Sequence, residues 1–196
     1  GVPEDVLRLV VSVEADTRAL NGDIDSKAAH NQIKILKSMQ AHRLSDLHFS
    51  WHTGYGYDDP GREAVEKIYA SVFDAEAALV RPLIVNGTHA LTLCLQGILR
   101  PGDLLLSVTG KPYDTLDQVI GLSDQGKGQG QGSLAEFGIR YSQIELMADG
   151  RLNQEEIVRQ VQEKRPKMVY LQRSSGYSWR RSLTVQEMGV LFQAVK

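Results

Sequence analysis

Three short segments of the sequence combine glycine, hydroxyl, aromatic and basic residues in patterns suited to an anionic, planar ligand. The first begins at Asn86 and continues through Gly87, Thr88 and His89 into an apolar helical stretch. Glycine lets a ligand approach the backbone, and the start of a helix offers unpaired N–H groups with a positive dipole. A phosphate group is the natural ligand for such a turn, although a tight turn with a helix cap gives the same pattern.

The second and third segments each follow an apolar run that predicts a buried strand. Tyr113 comes shortly after residues 104–108, where its ring could lie flat on a planar cofactor; a packed loop aromatic is the alternative. Arg173 and Tyr177 come after residues 168–171. An arginine at a strand end among several hydroxyl groups suits a carboxylate-bearing ligand, unless it pairs with a neighbouring carboxylate.

The elements that must position these segments alternate along the chain. Apolar runs predict strands over residues 79–85, 104–108, 139–146 and 168–171. Helical spacing predicts helices over residues 88–99, 113–120 and 153–164, the last of these with Asn153 as its cap. A capping box of Thr184 and Glu187 opens a final helix. This alternation predicts an α/β fold, a mainly parallel sheet with helices on both faces. Open α/β sheets bind ligands outside the carboxyl ends of their strands, which is where all three segments fall.

The first part of the chain predicts helices without an intervening strand. One helix is expected from Val6 to about Leu20, ending at Asn21-Gly22, and a second is expected to follow. These helices predict an arm over residues 1–50. Beyond an aromatic and glycine-rich stretch, Asp59 and Pro60 are expected to be the cap and the first residue of a further helix.

Composition and charge narrow the classes of protein. The formal net charge of -2 makes nucleic acid a poor default partner, and no apolar run approaches the roughly 20 residues of a membrane helix. Cys94 is alone, which excludes an internal disulfide and a multi-cysteine zinc site. The glycine-rich stretch 126–132 lacks the residue order of a P-loop. No secretory signal is visible at Gly1, so we expect a cytoplasmic protein. From the charge, the apolar runs and the single cysteine we expect no nucleic-acid, membrane or metal partner.

Four stretches of the sequence carry a family resemblance: Tyr55 to Arg62, Asn86 to Leu91, Pro101 to Asp103, and Gln172 to Leu183. Together they resemble the aluminium-resistance, methionine γ-lyase-like family of pyridoxal 5'-phosphate (PLP) enzymes, in the family's order and over essentially the whole chain. The family is grouped with the methionine γ-lyase and cystathionine lyase branch, which has the aspartate aminotransferase fold. The resemblance implies that residues 51–196 are the first part of the PLP-binding large domain. It also implies a carbon–sulfur lyase acting on a sulfur amino acid such as cystathionine or methionine.

The resemblance also implies roles at the cofactor. Gly87 and Thr88 match the segment whose backbone N–H groups hold the PLP phosphate. Tyr113 matches the aromatic residue that stacks on the pyridine ring. His89 lies one residue beyond the phosphate turn, where a cap or packing role and a catalytic role remain open.

Further roles concern a neighbouring subunit and the substrate. Tyr55 and Tyr57 lie in the segment that, in this branch, reaches into a neighbouring subunit's site and touches its phosphate. A homodimer or homotetramer is therefore expected of the full-length protein. Arg173 and Tyr177 are expected to line the side of the site that takes the amino-acid substrate.

One departure from the family pattern concerns the lysine that forms the Schiff base with PLP. In the family this lysine, and the aspartate that pairs with the pyridine nitrogen, lie beyond the last helix of the present chain. Lys111, Lys167 and Lys196 do not match the lysine's position. We therefore expect this chain to be a fragment of a longer enzyme and inactive alone. The alternatives are a non-catalytic α/β binding or interaction module, or another PLP reaction such as transamination or an aldolase-like cleavage.

Overall fold

The structure, a computed structural model, describes residues 1–52, 59–122 and 130–195. Cα packing divides the chain into two compact units, Gly1–Leu83 and Ile84–Lys196. Within the described ranges, no helix is both long enough and apolar enough to cross a membrane. That residues 51–196 form the first part of one larger domain stays a prediction.

The first unit opens with a single long helix, α1, which runs over Glu4–Ala41. The predicted end at Asn21-Gly22 is wrong, because the helix continues through both residues. A glycine inside a helix lowers helix stability by only about 1 kcal/mol relative to alanine. The helical turns on either side of Gly22 stabilise α1 by more than this. Near the end of α1, Ser38 is buried and its hydroxyl donates to the Ile68 carbonyl at 3.3 Å.

A 3-10 helix, Asp46–Phe49, and the second helix, α2 over Pro60–Phe73, complete the described helices of this unit. The predicted start of α2 is confirmed. The Asp59 carboxylate accepts from the Arg62 N–H at 3.0 Å and also pairs with the Arg62 guanidinium at 3.1 Å. The Arg62 N–H is the main reason that the pKa of Asp59 lies below its usual value.

The strand predicted over residues 79–85 is absent from the structure. Leu79 is 64% exposed and Leu83 is 82% exposed, so the apolar run is not buried in a sheet. A strand needs a neighbour to pair with, and Pro82 has no N–H to donate to one. The run is therefore irregular, with a turn at Pro82 and Leu83.

The second unit has the predicted α/β architecture. In the described residues its three strands are all parallel, in the order β2-β1-β3. In the register, Leu105 faces Tyr141 on one side and Met168 on the other. The elements in chain order are α3 (Gly87–Ile98), β1 (Leu104–Ser107), a 3-10 turn (Asp114–Leu116), α4 (Asp117–Ile120), β2 (Arg140–Gln143), α5 (Gln154–Lys164), β3 (Met168–Tyr170) and α6 (Val185–Ala194).

The central strand β1 separates two apolar clusters, one on each face of the sheet. Successive strand side chains point to opposite faces, so Leu105 lies in one cluster while Leu106 and Val108 lie in the other. The first cluster includes buried residues of α3 and α4, and the second includes Ile157 of α5 and Leu191 of α6. The prediction of helices on both faces is thereby confirmed. The sheet fixes where the chain leaves β1 and β3 at their carboxyl ends.

Side-chain caps define the starts of the two last helices. The Asn153 side chain accepts from the Glu156 N–H at 3.2 Å at the start of α5. Thr184 and Glu187 form the predicted capping box at the start of α6, with a Thr184 N–H to Glu187 carboxylate distance of 2.8 Å. Arg181 also binds this carboxylate. The Arg181 guanidinium first, and the Thr184 groups next, lower the pKa of Glu187 to about 2.

The low pKa of Glu187 predicts a pH-dependent contribution to stability. Because the folded pKa of about 2 lies below the usual 4.5, the ionised carboxylate stabilises the fold above pH 4.5, and this contribution is lost as the pH falls toward 2. Glu187→Gln is therefore expected to lower the urea midpoint at neutral pH, with a difference from wild type that shrinks in acid. Glu76→Gln, at a site with no ion pair among the described residues, is the control. A Glu187→Gln difference that stays constant across this pH range would contradict the account.

Candidate functional site

The turn before α3 presents backbone donors to open space. The Asn86 side chain caps the helix by accepting from the His89 N–H at 2.8 Å. Within the described part of the chain, the N–H groups of Gly87 and Thr88 donate to no protein acceptor. A Cβ atom added at Gly87 would meet nothing within 4 Å. These two donors, at the positive end of a helix of 12 residues, suit an oxyanion such as phosphate.

Two side-chain contacts tie this turn to its surroundings. The Thr88 hydroxyl donates to the Thr115 hydroxyl at 2.9 Å, although the two residues are 27 positions apart. Thr115 lies two residues after Tyr113, so this hydrogen bond joins the turn before α3 to the segment of Tyr113. His89 accepts from the Val85 N–H through Nδ1 at 3.4 Å, which gives it a contact within the turn.

A tight turn after β1 directs the chain toward Tyr113. Gly110 has φ of +75°, and its N–H donates to the Ile144 carbonyl at 2.8 Å while its carbonyl accepts from the Ser107 hydroxyl at 2.6 Å. A Cβ atom at Gly110 would lie 2.5 Å from a Glu145 carboxylate oxygen. Positive φ and this close approach both favour glycine here. The turn therefore fixes the direction in which the segment carrying Tyr113 leaves the sheet.

The half-buried Tyr113 ring is held by the segment that follows β3. Its N–H donates to the Gln172 side-chain oxygen at 2.8 Å. Its ring lies 5.4 Å from the Tyr177 ring, centroid to centroid, at an interplanar angle of 34°. The Tyr177 hydroxyl is the first cause, and desolvation the second, that raises the pKa of Tyr113 to about 12. Tyr113 is thus a neutral phenol at physiological pH and offers an aromatic surface rather than a proton acceptor.

Two arginines hold the loop after β3 in different ways. Arg173 Nε donates to the Leu183 carbonyl at 2.9 Å, so part of its guanidinium is hydrogen-bonded to the backbone. Arg180 reaches the carbonyls of Gln172, at 3.3 Å, and Ser174. Burial lowers the pKa of Arg180. Gln172 and Arg180 both lie in the stretch from Gln172 to Leu183, but the sequence predicts no role for either, because their hydrogen-bond partners are set by the fold.

A cavity of about 530 Å³ lies beside this edge of the sheet. Three basic and two acidic residues contribute to its wall, and Lys111 of this wall pairs with Asp117 at 2.8 Å. The lining residues are Thr109, Lys111, Glu145, Leu146, Met147, Ala148, Asp149, Gly150, Ser178, Trp179, Arg180 and Arg181. The cavity gives a ligand at the edge room for polar and charged groups.

The structure brings together most of the residues that the sequence selected. Gly87 and Thr88 are linked to the Tyr113 segment, and Tyr177 contacts Tyr113 directly. Tyr55 and Tyr57 lie outside the described residues. The donor set suits one end of PLP, since free N–H groups bind a phosphate dianion and an aromatic ring nearby can cover a pyridine ring.

The fold and this edge define an α/β protein with a turn suited to phosphate and an aromatic surface close to it. A sequence model described as methionine gamma-lyase matches residues 6–196. The chain belongs to the methionine gamma-lyase family.

Relatives with known sequences and structures agree with this assignment. Protein YnbB of Bacillus subtilis (strain 168), named as uncharacterized, is 42% identical over 189 residues, which cover 96% of this chain and 44% of YnbB. A carbon-sulfur lyase involved in aluminum resistance from Clostridium novyi NT superposes with a TM-score of 0.90 at 42% identity, over 100% of this chain and 46% of that one. A Listeria innocua protein, named a candidate cystathionine beta-lyase involved in aluminum resistance, gives a TM-score of 0.90, 42% identity and the same coverages. The chain therefore spans less than half the length of these relatives.

Proposed function

We propose that this chain forms the phosphate- and ring-binding part of a PLP-dependent carbon–sulfur lyase that acts on a sulfur amino acid such as cystathionine or methionine. The observation that carries the proposal is the hydrogen bond from the Thr88 hydroxyl to the Thr115 hydroxyl, which joins the proposed phosphate turn to the segment of Tyr113. The names of the structural relatives support the reaction class, since they describe carbon–sulfur and cystathionine lyases.

The residues of this chain would bind and orient the cofactor. The N–H groups of Gly87 and Thr88, with the dipole of α3, would hold the phosphate and so fix one end of the molecule. The Tyr113 ring would cover the pyridine ring and limit the access of water to that face. Bound PLP supplies an electron sink that acidifies the substrate Cα–H and lets a carbon–sulfur bond break. With its pKa near 12, Tyr113 would contribute contact area and orientation rather than take a proton.

Other parts of the site belong to the longer protein and to a second subunit in this proposal. The lysine that anchors PLP and the aspartate for its ring nitrogen would lie outside residues 1–196. Tyr55 and Tyr57 would reach the phosphate of a neighbouring subunit in a homodimer or homotetramer. On the substrate side, Tyr177 is 85% exposed and touches Tyr113, and Arg173 lies in the same loop. A cytoplasmic location is part of the same proposal.

The proposed reaction is tested by product analysis of the full-length protein with PLP. Cystathionine and methionine are offered separately, and released thiol, ammonia and keto acid are quantified. A lyase yields thiol, ammonia and keto acid in equal amounts. Exchange of the amino group with an added keto acid, without thiol, would replace the lyase by a transaminase. No turnover of either kind, in a folded protein that binds PLP, would favour a non-catalytic binding module.

A further inference from the structure

Gln172 occupies the junction between the two loops that form the candidate site. It is the second residue after β3, and each of its hydrogen-bonding groups is used. Its backbone N–H donates to the Thr109 hydroxyl at 3.0 Å, and its side-chain oxygen accepts from the Tyr113 N–H at 2.8 Å. Its side-chain amide donates to the Ser174 carbonyl at 3.3 Å, and its own carbonyl accepts from Arg180 at 3.3 Å. One residue thus connects the loop after β1 with the loop after β3.

These bonds reach the backbone of the aromatic residue itself. Tyr113 and Gln172 are 59 positions apart, so the bond between them is a long-range tie between loops. A side-chain acceptor on the Tyr113 N–H fixes the peptide plane from which the ring projects. The direction of the ring therefore depends on the position of the Gln172 amide.

The second contact of the amide is made to the loop that carries Tyr177. The bond from the Gln172 amide to the Ser174 carbonyl shapes the turn that contains Gly176, which has φ of +59°. A Cβ atom at Gly176 would lie 3.5 Å from the Tyr113 ring and 3.6 Å from the Gln172 amide nitrogen. Tyr177 follows immediately and contacts the Tyr113 ring. The glutamine amide thus supplies an acceptor to one loop and a donor to the other, and the acceptor is the group that holds the backbone of Tyr113.

The geometry points to Gln172 as a positioning residue that sets the Tyr113 ring against the planar ring of the bound cofactor. This inference rests on the proposed function, because it assigns how PLP is held at the same site. Gln172 itself contacts neither the phosphate turn nor a ligand in this account. It acts through Tyr113, so its effect concerns binding of the pyridine ring and leaves binding of the phosphate unchanged.

Two variants of the full-length protein separate the two functions of the amide. Gln172→Glu keeps an acceptor for the Tyr113 N–H, whereas Gln172→Met has a similar length and supplies neither acceptor nor donor. Affinities for PLP and for inorganic phosphate are measured by equilibrium dialysis, and far-ultraviolet circular dichroism reports the fold. Gln172→Met is expected to weaken PLP binding about tenfold, the effect of losing one well-placed contact, with phosphate affinity unchanged. Gln172→Glu is expected to stay within about threefold of wild type, because the bond to Tyr113 remains.

A double-mutant cycle distinguishes positioning from a general structural role. In a Tyr113→Leu background, Gln172→Met should change PLP affinity by less than about twofold, since the ring that it positions is gone. A full tenfold loss in that background, or equal losses of PLP and phosphate affinity, would overturn the inference. PLP affinity unchanged in Gln172→Met would do the same while leaving the proposed function intact. A wild-type protein that binds phosphate but not PLP would instead overturn the proposed function, and the inference with it.

Discussion

Replacing Gly87 by aspartate is expected to weaken PLP binding by the full-length protein about a hundredfold without loss of the fold. The new carboxylate would stand beside the N–H groups that are proposed to hold the phosphate. Like charges about 4 Å apart repel by several kcal/mol at a partly exposed site, and each 1.4 kcal/mol or so is tenfold in affinity. The fold should tolerate the change, because a Cβ atom at Gly87 meets no neighbour within 4 Å and an acidic residue suits the start of a helix. Equilibrium dialysis with PLP and with inorganic phosphate measures the effect.

The same helix offers a matched control at its other end. Gly97 lies near the end of α3, and a Cβ atom there also meets nothing within 4 Å. Gly97→Asp introduces the same charge and the same glycine replacement, but at the opposite end of α3 from the proposed phosphate site. We expect unchanged PLP affinity and slightly lower thermal stability, because a negative charge is unfavourable near the C-terminal end of a helix. If both variants bind PLP as wild type does, the turn before α3 is not the phosphate site.

Replacing Leu106 by alanine is expected to lower the free energy of unfolding by about 2–5 kcal/mol, the range for removing a buried leucine. Leu106 is 0% exposed and lies in the central strand β1, inside the cluster that includes residues of α5 and α6. Urea unfolding followed by far-ultraviolet circular dichroism gives the value. Such a loss is a large part of the stability of an ordinary domain.

Leu106→Met provides the comparison for this prediction. Methionine has nearly the same volume as leucine and no group that needs a hydrogen bond. The free energy of unfolding should therefore fall by less than about 1.5 kcal/mol. A similar cost for both variants would mean that shape at this position matters more than filled volume. A cost below about 1 kcal/mol for Leu106→Ala would contradict its place in a closed core.

The sequence predicts those parts of the fold whose signals are local. The apolar run of β1 and the cap residues Asn153 and Thr184 mark their elements correctly, because burial and capping depend on residues close in the chain. The α/β class follows from the alternation of such elements. The predicted helix end at Asn21-Gly22 is wrong, because the small loss of helix stability at one glycine does not end a helix of 38 residues.

Interactions between distant segments are not visible in the sequence. The apolar run 79–85 has the composition of a strand but finds no pairing partner among the described residues. The sequence predicts no role for Gln172, because the two partners that tie it to the loop after β1, Tyr113 and Thr109, are 59 and 63 positions away. The sequence selects Arg173 because it is an arginine at a strand end, but only the structure shows that its Nε donates to the Leu183 carbonyl. Residue types and their order select the candidate segments, while tertiary contacts decide which atoms face each other.

The central claim is that this chain holds the phosphate and ring of PLP in a longer lyase. The most direct measurement is the absorbance spectrum of the full-length protein purified with PLP, before and after borohydride, followed by peptide mapping. We expect a visible band that reduction removes, with the reduced adduct on one lysine outside residues 1–196. A folded protein with no such band and no adduct would contradict the claim and favour a non-catalytic binding module.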